Sequence, residues 1–176
     1  FCDEGGLPDD CKECPTCHNP PFSGMMFDPE RKERADGLEN GGDLGGAWEI
    51  LSDEWMAHTD MDYYDEEMAC KLSEWIYELF DRNPGMIEQR VQMKLMEMSS
   101  MHYWGLHEDA IGSAEDAMRI AREAERPDLE LEALESHLSV QSSRYGGRHN
   151  IPQQKDIERY LGEILKRLEK RREDSE

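Results

Sequence analysis

The sequence predicts an all-α protein: an antiparallel helix-turn-helix array, repeat-like, preceded by an irregular N-terminal arm. Three observations predict it. From Ala47 onward apolar residues recur at spacings of three and four, the period of a helix. Proline and glycine breaks interrupt that pattern at regular intervals. No segment alternates with period two for long enough to suggest a sheet.

The elements follow in order. Residues 1–46 hold four of the five cysteines and most of the proline and glycine. GGLPDD, CHNPPFSG and ENGGDLGG are turn and loop signals, so this segment reads as an irregular arm. Its only dense apolar group, Phe22, Met25, Met26 and Phe27, is suited to pin it to the helices. Residues 47–176 read as a helical-repeat domain. Trp48, Leu51 and Trp55 begin it, and Met68, Ala69, Leu72, Trp75, Ile76, Leu79 and Phe80 form one apolar stripe. Asn83-Pro84-Gly85 breaks the chain, because proline cannot continue a helix. Further helices are expected over about 86–104, 107–124 and 129–145, ended by Gly105, by Arg126-Pro127-Asp128 and by Gly146-Gly147. The third carries Ala110, Ile111, Ala114, Ala117, Met118 and Ala121 on one face. Pro152 suits the first turn of a last helix, striped by Ile157, Tyr160, Leu161, Ile164, Leu165 and Leu168, which reads as a cap.

Charge narrows the function classes. Among 176 residues, 41 are acidic and 20 are Lys or Arg, a net charge of -21. Residues 149–176 carry 7 of each sign, so the whole acidic excess lies before His149. Such a surface repels phosphate backbones, which disfavours nucleic acid and anionic membranes, and it steers in a basic partner. Mean hydropathy is -0.89 and no run reaches the length of a membrane span. A first residue of Phe1 points to a processed or trimmed form.

The breaks also show a period. Trp104-Gly105 and Tyr145-Gly146 are 41 residues apart, as are Ala69 and Ala110, and Pro84 and Pro127 are 43 apart. A two-helix unit cannot bury its apolar face alone, so such units stack. Within GLHEDAIGSAEDAMRIA, Gly105, Ala110, Ile111 and Ala117 stand at the spacing of the second half of a tetratricopeptide repeat. The stretch Val91–Gly147 resembles that family, and Tyr63–Phe80 resembles it weakly. Glu97 and Met98 depart from it, standing near the family's Leu and Gly. The resemblance implies a binding scaffold whose concave positions are Gln92, Leu95, Ser99 and His102 in one unit, and Ala133, Ser136, Val140 and Ser143 in the next. Met93, Met96, Met98 and Met101 read as core fillers rather than an adaptable binding surface.

Chemistry, if any, belongs to the arm. Cys11, Cys14 and Cys17 follow a C-x2-C-x2-C spacing, with His18 next and Cys2 upstream. Thiolates at Cys2, Cys11, Cys14 and Cys17, or three of them with His18, suit a tetrahedral zinc. The same run resembles iron–sulfur ligation, with Cys2 or Cys70 as fourth ligand, though the usual Cys-Pro is missing. Cys14-Pro15-Thr16-Cys17-His18 matches the attachment motif of c-type haem, and disulfides are a further reading. Zinc would fit a cytoplasmic protein; haem or disulfides would fit a periplasmic or secreted one. Cys70 reads as a small core residue.

There is no phosphate-binding loop, dinucleotide fingerprint or nucleophile elbow, and His107-Glu108 does not continue into a metalloprotease motif. The acidic run Asp60, Asp62, Asp65, Glu66 and Glu67 reads as a solvated helix start. His58, His102, His107, His137 and His149 show no ligand spacing and read as surface or boundary residues. The chain is therefore expected to be a non-enzymatic scaffold for a peptide or protein partner, with zinc on its arm. Two alternatives are a small electron-transfer protein carrying haem at Cys14, Cys17 and His18, and an acidic mimic of DNA that occupies a basic partner.

Overall fold

The computed structural model describes residues 29–60, 65–145 and 151–174. Among these the chain is all helical, as expected. The helices are α1 (Pro29–Asn40), α2 (Leu44–Thr59), α3 (Glu66–Arg82), α4 (Ile87–Tyr103), α5 (His107–Glu123), α6 (Pro127–Tyr145) and α7 (Ile151–Glu173). Two compact units divide the chain, Phe1–Trp75 and Ile76–Glu176, the division falling inside α3.

In the first unit α1 packs along α2. Residues 29–40 and 44–46 are helical where the loop signals of the arm suggested irregular chain. Proline is at home at the first helical position, and the run Glu30 to Ala35 contains good helix formers. Gly41 and Gly42 end α1. Asp43 then caps α2, its carboxylate accepting the Gly46 amide at 2.9 Å, so two of the "loop" glycines lie in a helix's first turn. The core of α2 is Ala47, Trp48, Leu51 and Trp55, and Trp55 Nε1 donates to Ser73 Oγ at 2.8 Å. His58 is buried, not a boundary residue. It stands 3.8 Å from Glu54, which is itself ion-paired with Arg31, and 4.0 Å from Asp65. Asp65 accepts the Met68 amide and Glu66 and Glu67 open α3, so this part of the acidic run does start a helix, whereas Asp60 ends α2 and Asp62 lies outside the described residues.

Cys70 is an exposed free thiol rather than a core residue. Its neighbours Ala69 and Leu72 are buried. One step of about 100° around a helix carries position 70 off their face.

In the second unit Ile87, His107 and Pro127 begin successive helices twenty residues apart. The helices α4, α5 and α6 pack on one another, and α7 packs on α6. The centre is α5. Its Ala110, Ala114, Ala117 and Ala121 are fully buried and lie on one face at helical spacing. Val91, Leu129 and Ala133 meet the Ala117–Ala121 half of that face, and Met98 and Val140 meet the Ala110–Ala114 half. Met93 and Met98 are buried, while Met96 and Met101 are partly buried, in line with core filling.

Three connections share one turn geometry. The amide of Gly105 donates to His102 C=O at 3.1 Å and that of Leu106 to Met101 C=O at 2.9 Å. Gly42 and Asp43, and Glu125 and Arg126, make the same pair of bonds. This is the Schellman pattern, whose pivot must be left-handed. The pivots have φ of 84° at Gly42, 76° at Gly105 and 55° at Glu125. The break expected at Arg126-Pro127-Asp128 thus occurs one residue earlier, and Pro127 opens α6.

Glu125 is the only pivot with a side chain. Glu125→Gly is expected to raise unfolding stability by about 0.5–1 kcal/mol, because the β-carbon penalty disappears. Urea midpoints of the two proteins check this; an unchanged or lowered midpoint contradicts it.

Candidate functional site

Two polar constellations lie at opposite ends of α5. At its C-terminal end, Glu130 in the first turn of α6 is fully buried. Arg122 Nε reaches its Oε1 at 3.0 Å, and Arg167 Nη1 reaches Oε2 at 2.6 Å. The Tyr160 hydroxyl donates to the same carboxylate and accepts from Arg122, whose guanidinium also lies 4.9 Å from the Tyr160 ring centroid. Burial pushes the Glu130 pKa up, but hydrogen bonds from Arg167, Tyr160 and Arg122 outweigh it, and the net shift is downward. Next to it Arg126 holds Asp128 at 2.6 Å, and Arg171 approaches Asp128 at 3.3 Å. The Arg126 hydrogen bond holds the Asp128 carboxyl below its ordinary range. The result is a clasp that ties α7 to α5 and α6. A groove of about 440 Å³ beside it is lined by Arg122, Arg167, Lys170 and Arg171 together with Glu125 and Asp174. Three of these four cations already serve Glu130 or Asp128, which makes the clasp a structural device.

At the other end, the α4–α5 turn exposes its apolar side chains. Among the described residues the large hydrophobics left exposed are Met56, Tyr103, Trp104, Leu106 and Leu165. Three of the five stand within the four residues from the end of α4 to the end of this turn, with Tyr103 59% and Leu106 52% exposed. The rings of Tyr103 and Trp104 meet edge to face at 6.4 Å. Glu108 and Asp109 follow in the first turn of α5. His102 and His107 flank the turn, with their Nδ1 atoms 3.2 Å apart.

The positions drawn from the repeat resemblance divide between surface and core. Gln92 and Ser99 are exposed on α4, and with Tyr103 they share one face at spacings of seven and four. Ser99 Oγ donates to Leu95 C=O within the helix. Leu95 is partly buried against both halves of the core. His102 is half-buried and paired with His107. Ser136 is half-buried on α6, whereas Ala133 and Val140 are core residues. Ser143 lies in α6 with its side chain outside the described residues, as do Cys2, Cys11, Cys14, Cys17 and His18 altogether. Glu97, a departure from the repeat pattern, accepts from Tyr77 Oη and Lys94 Nζ, each at 2.7 Å. Burial, then the Glu97 charge, pushes the Tyr77 phenol well above its ordinary range, so it stays protonated and donating.

Sequence reasoning missed the histidine pair and the clasp. An i, i+5 spacing across a turn matches no helical ligand pattern. Tyr160 is 30 residues from Glu130 along the chain, so no local signal joins them. The exposed turn had a signal, the Trp104-Gly105 step, which served only as a marker of the period.

The class defined by this architecture is an all-α array of antiparallel helices. Among the described residues no helix is long and apolar enough to cross a membrane, and no three His, Cys, Asp or Glu side chains converge as metal ligands. The chain matches no protein-family model, no curated protein and no solved structure.

The clasp makes a specific prediction. Arg122→Met with Arg167→Met leaves a buried carboxylate with only the Tyr160 hydroxyl. The pair is expected to lower stability by about 3 kcal/mol, the low end for a broken buried ion pair because both guanidiniums are partly solvated. The folded pKa of Glu130 lies below its unfolded value, so its contribution is complete above about pH 4.3 and is lost as pH falls through the folded value. Urea melts at pH 7 and in mild acid check both; the double variant should lose this acid-sensitive component.

Proposed function

We propose that this protein is a protein–protein interaction scaffold, a degenerate tetratricopeptide-like array that binds a basic peptide or protein segment. The observation that carries the reading is the α4–α5 turn. Soluble surfaces seldom cluster exposed aromatic and aliphatic side chains without a binding role, and aromatic anchors dominate interface energetics. Here Tyr103, Trp104 and Leu106 stand together on a turn held by two backbone hydrogen bonds. Gln92 and Ser99, two of the positions inferred from the resemblance, extend the same face along α4. The twenty-residue register of α4, α5 and α6 supports the repeat reading. The net charge of -21 selects the partner's sign, and with it argues against nucleic acid and anionic membranes.

Peptide arrays graded in charge and aromatic content, read at low and high salt, test this. Lys/Arg-rich peptides with an apolar anchor should bind, more weakly as salt rises. Trp104→Ala should weaken binding by about 2 kcal/mol, roughly thirtyfold in Kd. Salt-insensitive capture of acidic peptides, or a Trp104→Ala protein that binds as before, overturns the reading.

The arm completes the proposal as a zinc module built from Cys2, Cys11, Cys14 and Cys17, or three of them with His18. Its cysteine and histidine spacing supports this. Metal analysis with an optical spectrum of protein from its native source is expected to give zinc and no Soret band. A Soret band would instead establish the haem reading at Cys14, Cys17 and His18.

A further inference from the structure

We propose that His102 and His107 form a labile two-nitrogen chelate for a divalent transition ion, zinc, nickel or copper, at the α4–α5 turn. The two rings come from different helices, His102 from the last turn of α4 and His107 from the first residue of α5. The Schellman bonds of Gly105 and Leu106 fix the chain between them. Both side chains are half-buried, so their positions are set by the fold while an edge stays open to solvent.

The geometry fits chelation. Imidazole nitrogens bind such ions at about 2.0–2.1 Å, so two of them on one ion stand about 2.9–3.4 Å apart at tetrahedral to octahedral angles. The Nδ1 atoms are 3.2 Å apart. The ring centroids are 5.1 Å apart with planes inclined by 50°. That separation is shorter than two rings meeting head-on across the same gap would give. The ring axes are therefore bent off the line between the nitrogens, as lone pairs converging on a shared ion require. Without an ion one Nδ1 carries the proton and donates to the other. With one, both protons reside on Nε2 and both Nδ1 lone pairs bind.

Electrostatics and stoichiometry set the class of ligand. Asp109 in the same first turn as His107, and the acidic charge of the chain, draw cations to this end. Imidazole selects zinc, copper and nickel over calcium and magnesium. Among the described residues no third His, Cys, Asp or Glu joins the pair. Water or a donor from a bound partner fills the remaining positions, so the ion exchanges readily. The site is separate from the cysteine arm and does not depend on the peptide-binding proposal.

Zinc titration of the intact chain, followed by imidazole nitrogen NMR, tests the inference. The expected result is that the Nδ1 signals of His102 and His107 move together to metal-bound positions, with Nε2 as the protonated nitrogen. The response should vanish on acidification, because both Nδ1 atoms must be unprotonated. His102→Gln and His107→Gln, with helicity checked by circular dichroism, should each abolish the response of the remaining ring and remove one zinc equivalent. Zinc uptake with both rings unmoved, or a variant whose remaining ring still responds, overturns it. The wild-type titration stands alone if a variant fails to fold.

Discussion

The close approach permitted by four alanines organises the second unit. Ala110, Ala114, Ala117 and Ala121 leave α5 with almost no side-chain volume on its buried face. The bulk must then come from its neighbours. Val91, Leu95 and Met98 supply it from α4, and Leu129 and Val140 from α6. Because α4 and α6 both lean on this one narrow helix, they also touch each other. Two of the three helices, α4 and α5, are 17 residues long and α6 is 19, so they span similar lengths. Turns of three residues close both ends, and the chain reverses twice with the same pair of backbone bonds.

That arrangement separates two kinds of chemistry by about 22 Å, the rise of fifteen helical residues from His107 to Arg122. The C-terminal end of α5 is a place of internal satisfaction. Arginines from α5 and α7 meet Glu130 and Asp128 in the first turn of α6, where acids also suit the helix dipole. Two of the seven cations of residues 149–176, Arg167 and Arg171, are thereby paired with acids of α6. The N-terminal end of α5 carries its exposed apolar turn, with the half-buried histidine pair at its edge.

Much of the fold was legible because it depends on period and punctuation. The alanine spacing on α5, the Pro84 break and the Gly105 turn each follow from local physics, and those helix boundaries agree to within a residue or two. Where the reading differed, a local signal had two meanings. The glycines after Asn40 looked like loop, yet Gly45 and Gly46 sit in a helix begun by Asp43. Glu125 could not announce itself, because a left-handed turn at a charged residue is imposed by the packing of the helices on either side. His58 is buried by tertiary packing beside Glu54 and Asp65, whereas the exposure of Cys70 follows from the helical step that takes it off the Ala69–Leu72 face. The histidine pair and the clasp join residues through folding alone, and no spacing rule reaches them.

The proposed binding surface gains from this contrast between ends. Positions inferred from the repeat resemblance were a mixed set: Ala133 and Val140 belong to the core, while Gln92 and Ser99 are exposed. The exposed pair is the one aligned with Tyr103. From Gln92 to Tyr103 the strip runs about 16 Å along α4. It starts with neutral polar groups and ends on aromatic ones. A partner reading that strip needs hydrogen-bonding capacity at one end, an apolar anchor at the other and positive charge to match the net charge of -21. Those demands suit a short basic segment with a single large side chain. They also place its anchor beside His102 and His107, so an ion held there would sit at the edge of the same contact, with coordination positions open for a donor from the partner.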